Sequence, residues 1–112
     1  MELSFKIPND QQQCQELLKM VDEDWLQKRQ NWTFLGQLLH NILKEQGLIL
    51  FERYTPEEFK NDCNEVFENF TKTVHGLKAF KTMTKRMNVQ LFSKWQRQVI
   101  KAAALGAIDE LA

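Results

Sequence analysis

Between Asn69 and Ile108 the chain carries no aspartate or glutamate, although eight lysines and arginines fall there. Such a run departs from an ordinary solvated helical surface, on which both signs mix, often as Glu and Lys at i, i+4. Glycine and proline are scarce, at four and two residues. An all-β fold needs turn signals about every 8–12 residues, so this scarcity argues for long helices instead. No stretch approaches the roughly 18 apolar residues of a membrane-spanning helix, so no membrane partner is expected. Only two cysteines are present, Cys14 and Cys63, far apart in sequence. They give no disulfide framework and are expected to be buried free thiols in a reducing compartment. The N-terminal residues lack a basic stretch followed by an apolar one, which points to a cytoplasmic protein and makes the Asn31 and Asn69 glycosylation sequons chance matches.

Catalytic signatures are missing as well. There is no glycine-rich phosphate loop, no nucleophile elbow and no His-Glu-x-x-His pair. His40 and His75 have no cysteine or carboxylate at a ligand spacing. His40 falls off the apolar stripe around it and is expected to be exposed. No enzymatic activity, cofactor or metal is expected.

What is present is a set of helical periodicities in 112 residues, the size of one domain. Leu3, Phe5 and Ile7 alternate in a short extended N-terminal arm that Pro8 ends. Asn9 or Asp10 caps a first helix, with Cys14, Leu17, Leu18, Val21 and Trp25 on one face, reaching to about Gln30. A second helix from about Trp32 buries Leu35, Leu38, Leu39, Ile42 and Leu43, and Gly47 stands at its C-terminal end. Trp32, at that helix start, is the tryptophan expected to be exposed. Leu48 to Phe51 is a short connector. Thr55-Pro56-Glu57-Glu58 then reads as a capping box for a third helix, whose stripe runs from Phe59 through Cys63, Val66, Phe67 and Phe70 to Val74, closing at Gly76.

Leu77, Phe80, Met83 and Met87 form one further stripe, and Phe92, Trp95, Val99 and Ala103 another. Phe80 and Phe92 are twelve residues apart, which leaves them about 120° out of phase on a straight helix. A break at Asn88, a good N-cap, removes the conflict and gives a fourth helix over about 77–87 and a fifth over about 89–111. The expected fold is all-α, a single-domain bundle of about five helices.

The charge is partitioned over this framework. Residues 1–68 hold thirteen acidic and seven basic residues. On the fourth helix Lys78, Lys81 and Lys85 share the face opposite Phe80, Met83 and Met87, with Arg86 near its end and Thr82 beside them. On the fifth, Lys94, Arg97 and Lys101 repeat the spacing opposite Phe92, Val99 and Ala103, with Gln90 and Gln98 on the same side. Lysine and arginine contact phosphates and glutamine and threonine add hydrogen bonds, so these residues form a candidate nucleic-acid surface, for RNA or for single-stranded or duplex DNA. The alternatives are that this basic face meets an acidic protein partner, that the acidic half neutralises it, or that the chain is a small helical inhibitor or immunity-type protein. Such a protein would grip a protein partner through Asp22 to Asp24 with Trp25 and Trp32. Glu58, Asp62 and Glu65 form a further acidic stripe on the third helix.

With its five amphipathic stripes and the Lys78-to-Lys101 basic face, the chain resembles the small subunit of CRISPR effector complexes. The resemblance covers the whole chain in outline and rests on no diagnostic motif. It implies a non-catalytic helical subunit of a ribonucleoprotein, a role in antiviral interference, and side-by-side copies or other subunits as partners. Subunit contacts would then fall on the Glu58–Glu65 face or the small residues of Ala102–Ala107.

Overall fold

Asn9 and Gln12 tie off the start of the first helix by reciprocal bonds: the Gln12 amide N–H donates to Asn9 Oδ1 (2.8 Å) and the Asn9 N–H to Gln12 Oε1 (3.0 Å). In this computed structural model the backbone is described from Pro8 to Leu111 and side chains through Leu105. The expected N-terminal arm lies outside the described residues. The elements are α1 (Asp10–Leu18), α2 (Glu23–Leu26), α3 (Arg29–Leu43), α4 (Gly47–Tyr54), α5 (Cys63–Glu68), α6 (Leu77–Met87) and α7 (Val89–Leu111), with 3-10 turns at Lys44–Gln46 and Glu57–Asp62. No strand occurs among the described residues, and the fold is an all-α single-domain bundle.

The first helix is shorter than its stripe suggests. On a straight helix Leu26, nine residues after Leu17, would stand about 180° away from it and face water. Instead the chain turns after Leu18, the Asp22 side chain accepts from the Asp24 N–H (3.1 Å) to start α2, and both Met20 and Leu26 are buried. The Asn31 amide donates to the Trp25 carbonyl (2.9 Å) and holds α2 against α3.

α3 is the central helix. It begins at Arg29, earlier than expected, which brings Trp32 into the stripe of Leu35 and Leu39. Trp32 is therefore fully buried, not exposed. Its ring lies between Phe51 (5.0 Å, 16°) and Phe59 (4.8 Å, 24°), and its Nε1–H donates to Thr55 Oγ1 (2.9 Å). Thr55 does not start a helix. Its hydroxyl donates back to the Phe51 carbonyl and leaves its lone pairs for Trp32 and the Cys63 thiol, 3.4 Å away.

Gly47 has a role other than ending a helix. Lys44 supplies the left-handed residue after α3 (φ 55°), and Gly47 opens α4, where an added Cβ would lie 2.6 Å from the Leu39 carbonyl oxygen. Leu48–Phe51 is thus helical rather than a connector. Phe51 fills the space left by Gly36, whose missing Cβ would stand 2.5 Å from the Phe51 ring.

The third expected helix is also cut short. Glu57–Asp62 is a 3-10 turn and α5 ends at Glu68, so Val74 is 95% exposed. From Asn69 to Gly76 the chain is non-helical and is held to α3 by two amide side chains. Gln37 donates to the Thr71 carbonyl (2.9 Å) and to Asn41 Oδ1 (2.8 Å). Asn41 donates to Thr73 Oγ1 (2.7 Å) and the His75 carbonyl (2.8 Å), and accepts from the Thr73 N–H (3.0 Å). All the hydrogen-bonding capacity of the Asn41 amide is used. α6 and α7 then meet at Asn88 as expected, with Asn88 Oδ1 accepting from the Leu91 N–H (3.2 Å).

Thr55→Val, nearly isosteric, strands the buried Trp32 N–H and is expected to cost about 1–3 kcal/mol by urea unfolding, whereas Thr55→Ser keeps the hydroxyl and costs less. Equal losses for the two would show that packing, not the hydroxyl, matters there.

Candidate nucleic-acid interface

Every candidate cation emerges on α6 or α7, and the two helices place them differently. At 100° per residue, Lys81, Lys85, Lys78 and Arg86 spread over about 140° of α6, while Arg97, Gln90, Lys101, Lys94 and Gln98 occupy about 100° of α7. Lys78, Lys85, Arg86, Gln90, Lys94, Arg97, Gln98 and Lys101 are exposed. Lys81 is half-buried, with its ammonium 5.8 Å from the Trp95 ring centroid, a cation–π contact between α6 and α7.

None of these cations is within 4.0 Å of a carboxylate among the described residues. The ion pairs there join Lys19 to Glu16 (3.7 Å) and Arg29 to Asp62 (3.0 Å), both outside α6 and α7. Neutralisation by the acidic half is therefore not through direct contacts in the described part of the chain. One acid does approach: Glu16 of α1 lines a shallow pocket together with Lys94 and Gln98. The α6 cations split. Lys78 and Arg86, with Thr82, border a separate groove, and Lys81 turns towards Trp95.

That groove was not anticipated, because it is assembled from four separate segments. Trp25, Phe34, Val74, His75, Ala79, Met83 and Met87 line it. The Phe34 and His75 rings meet edge-on at 6.1 Å. A signal for its open wall does exist in the sequence: Asn69, Thr71 and Thr73 compete for local backbone bonds and weaken a helix there.

Other expectations need correction. His40 is half-buried, packed against Phe67 (5.1 Å) and Phe70 (6.0 Å), with Nδ1 buried and without a partner among the described residues. The patch proposed for a protein partner, Asp22 to Asp24 with Trp25 and Trp32, does not form, since Trp32 is in the core and Trp25 faces the groove. The Glu58, Asp62 and Glu65 stripe is broken between a 3-10 turn and α5, and Asp62 is engaged by Arg29. Of the small residues at Ala102–Ala107, Ala102 and Ala103 are half-buried and Ala104 is exposed. The side chains of Gly106 and Ala107 lie outside the described residues.

Both cysteines are free and buried. Burial, with Asp10 adding to it, pushes the Cys14 thiol from an ordinary 9.0 to about 12. Burial also pushes the Cys63 thiol up, against the opposing Thr55 hydrogen bond. In both cases burial favours the neutral thiol. Among the described residues no three His, Cys, Asp or Glu side chains are grouped to hold a metal ion, and no helix is long and apolar enough to cross a membrane. Comparison with protein-family models, with curated proteins and with solved structures gave no significant match.

The Asn41 amide is the main fastening of the groove wall. Asn41→Ala is expected to raise hydrogen exchange at the Thr73 amide by at least about tenfold while amides of α4 keep their protection. Unchanged exchange at Thr73 would mean that the segment is held by something else.

Proposed function

We propose that the protein is a non-catalytic helical subunit of a ribonucleoprotein assembly that binds the phosphate backbone of nucleic acid through α6 and α7. This is the role that the small subunit of a CRISPR interference complex fills. One observation carries the reading: Lys78, Lys85, Arg86, Lys94, Arg97 and Lys101 are exposed on consecutive helices, and no described carboxylate pairs with any of them. Unpaired cations of this kind attract a polyanion and release its counterions on contact. Gln90, Gln98 and Thr82 add neutral donors to phosphate and sugar oxygens. The arrangement favours contact with backbone over readout of bases, because the cations are spread over two helix faces rather than gathered at one helix fitted to a groove. A single small module of this sort binds weakly, and further copies or neighbouring subunits would supply the remaining affinity.

A mobility-shift titration with single-stranded and duplex oligonucleotides tests this. The protein is expected to retard both, and Lys85→Glu with Arg97→Glu, two exposed positions, to weaken binding by at least about tenfold at about 50 mM salt. Full retention of binding in that variant would contradict the proposal. No retardation of any oligonucleotide would favour a small helical inhibitor that acts on a protein.

A further inference from the structure

A groove of about 740 Å³ runs between α2, α3, the Asn69–Gly76 segment and α6. Its surface is aliphatic, thioether and aromatic, and it is open: Phe34 is 38% and Val74 95% exposed. Lys78 and Arg86 stand along its α6 edge, and among the described residues no Asp or Glu lines it. We infer that this groove is the docking site for an amphipathic helix of a partner protein, apolar on one stripe and acidic on the flank that meets α6.

Size, chemistry and charge each point to that occupant. Lys78 and Arg86 are eight residues apart, about 12 Å along α6, which matches two turns of a docked helix and the spacing of anchors at i, i+3, i+4 and i+7. Met83 and Met87 are among its lining residues, and thioether side chains adapt to the large apolar anchors of such a helix. The two cations have no carboxylate partner among the described residues, so acidic residues beside the apolar stripe complete them. A nucleic-acid strand would satisfy Lys78 and Arg86 but leave Ala79, Met83, Met87 and Val74 in water, whereas a helix covers both. The wall is already fixed by Asn41, which lowers the ordering cost of docking. The inference does not rest on the nucleic-acid reading, because Lys85, Lys94, Arg97 and Lys101 lie outside the groove.

The test uses the intact chain and a fluorescein-labelled peptide of about 15 residues, with leucines at the four anchor positions and glutamates flanking them. A composition-matched scramble and a version with lysine in place of glutamate serve as controls. Fluorescence polarisation is expected to show saturable binding of the first peptide, at least about tenfold tighter than either control. Lys78→Glu with Arg86→Glu is expected to weaken it by about tenfold or more, and Lys94→Glu with Arg97→Glu by less than about twofold. Equal binding of the scramble, or equal loss in the two charge-reversed variants, would reduce the effect to general electrostatics and overturn the inference. So would a single-stranded oligonucleotide that displaces the peptide and itself loses affinity on Phe34→Ala, since the groove would then belong to nucleic acid. The peptide comparison needs no variant to fold, and its failure leaves the oligonucleotide titration with Lys85 and Arg97, both outside the groove, unaffected.

Discussion

The Trp32 indole organises the molecule. A large ring in the centre of a small domain must bury its N–H with an acceptor, and the acceptor here comes from a threonine 23 residues away. Thr55 in turn has only one proton to give, and it goes to the Phe51 carbonyl at the end of α4. The result fixes α3, α4 and the turn after it in one arrangement, with Phe51 and Phe59 on the two faces of the indole. Arg29 lies 5.3 Å from the same ring and 5.5 Å from Phe59, and its pairing with Asp62 closes the stack at its rim. Aromatic area, one hydroxyl and one ion pair thus position three segments at once.

The charge distribution follows from where this core spends its carboxylates. Asp22 caps a helix, Asp62 closes the aromatic stack, and Glu16 pairs with Lys19 on α1. α6 docks through Phe80 and the fully buried Thr84, and α7 through Phe92 and Trp95. Apart from the Lys81 contact with the Trp95 ring, those contacts are apolar or internal to a helix. The cations on the other faces therefore receive no carboxylate partner among the described residues. The same docking leaves the edge of α6 beside a strap held by amide side chains, so a basic surface and an apolar groove share one helix.

Much of this was legible in the sequence wherever a single helix decided it. The phase mismatch between Phe80 and Phe92 located the break at Asn88, and the Leu35, Leu38 and Leu39 part of the α3 stripe followed from spacing alone, though not Trp32. The exposed cations of α6 and α7 were equally readable, because a face opposite an apolar stripe is a matter of helical geometry. Local pattern failed where a distant residue decided. Thr55-Pro56-Glu57-Glu58 has the form of a capping box, yet Trp32 takes the hydroxyl. The Val74 stripe lost to Gln37 and Asn41, which hold the chain extended from another helix. Leu26 did carry a warning, since a straight first helix would have exposed it, and the bend at Asp22 resolves that conflict. The groove could not be read in advance because no one segment contains it.

Electrostatic binding by the α6 and α7 cations is most directly tested by the dependence of affinity on salt. For a duplex oligonucleotide, a plot of log association constant against log salt concentration is predicted to be linear with a slope of about −5, corresponding to one phosphate contact for each of the six exposed cations. A slope near zero, with binding undiminished at high salt, would contradict a surface built from unpaired lysines and arginines.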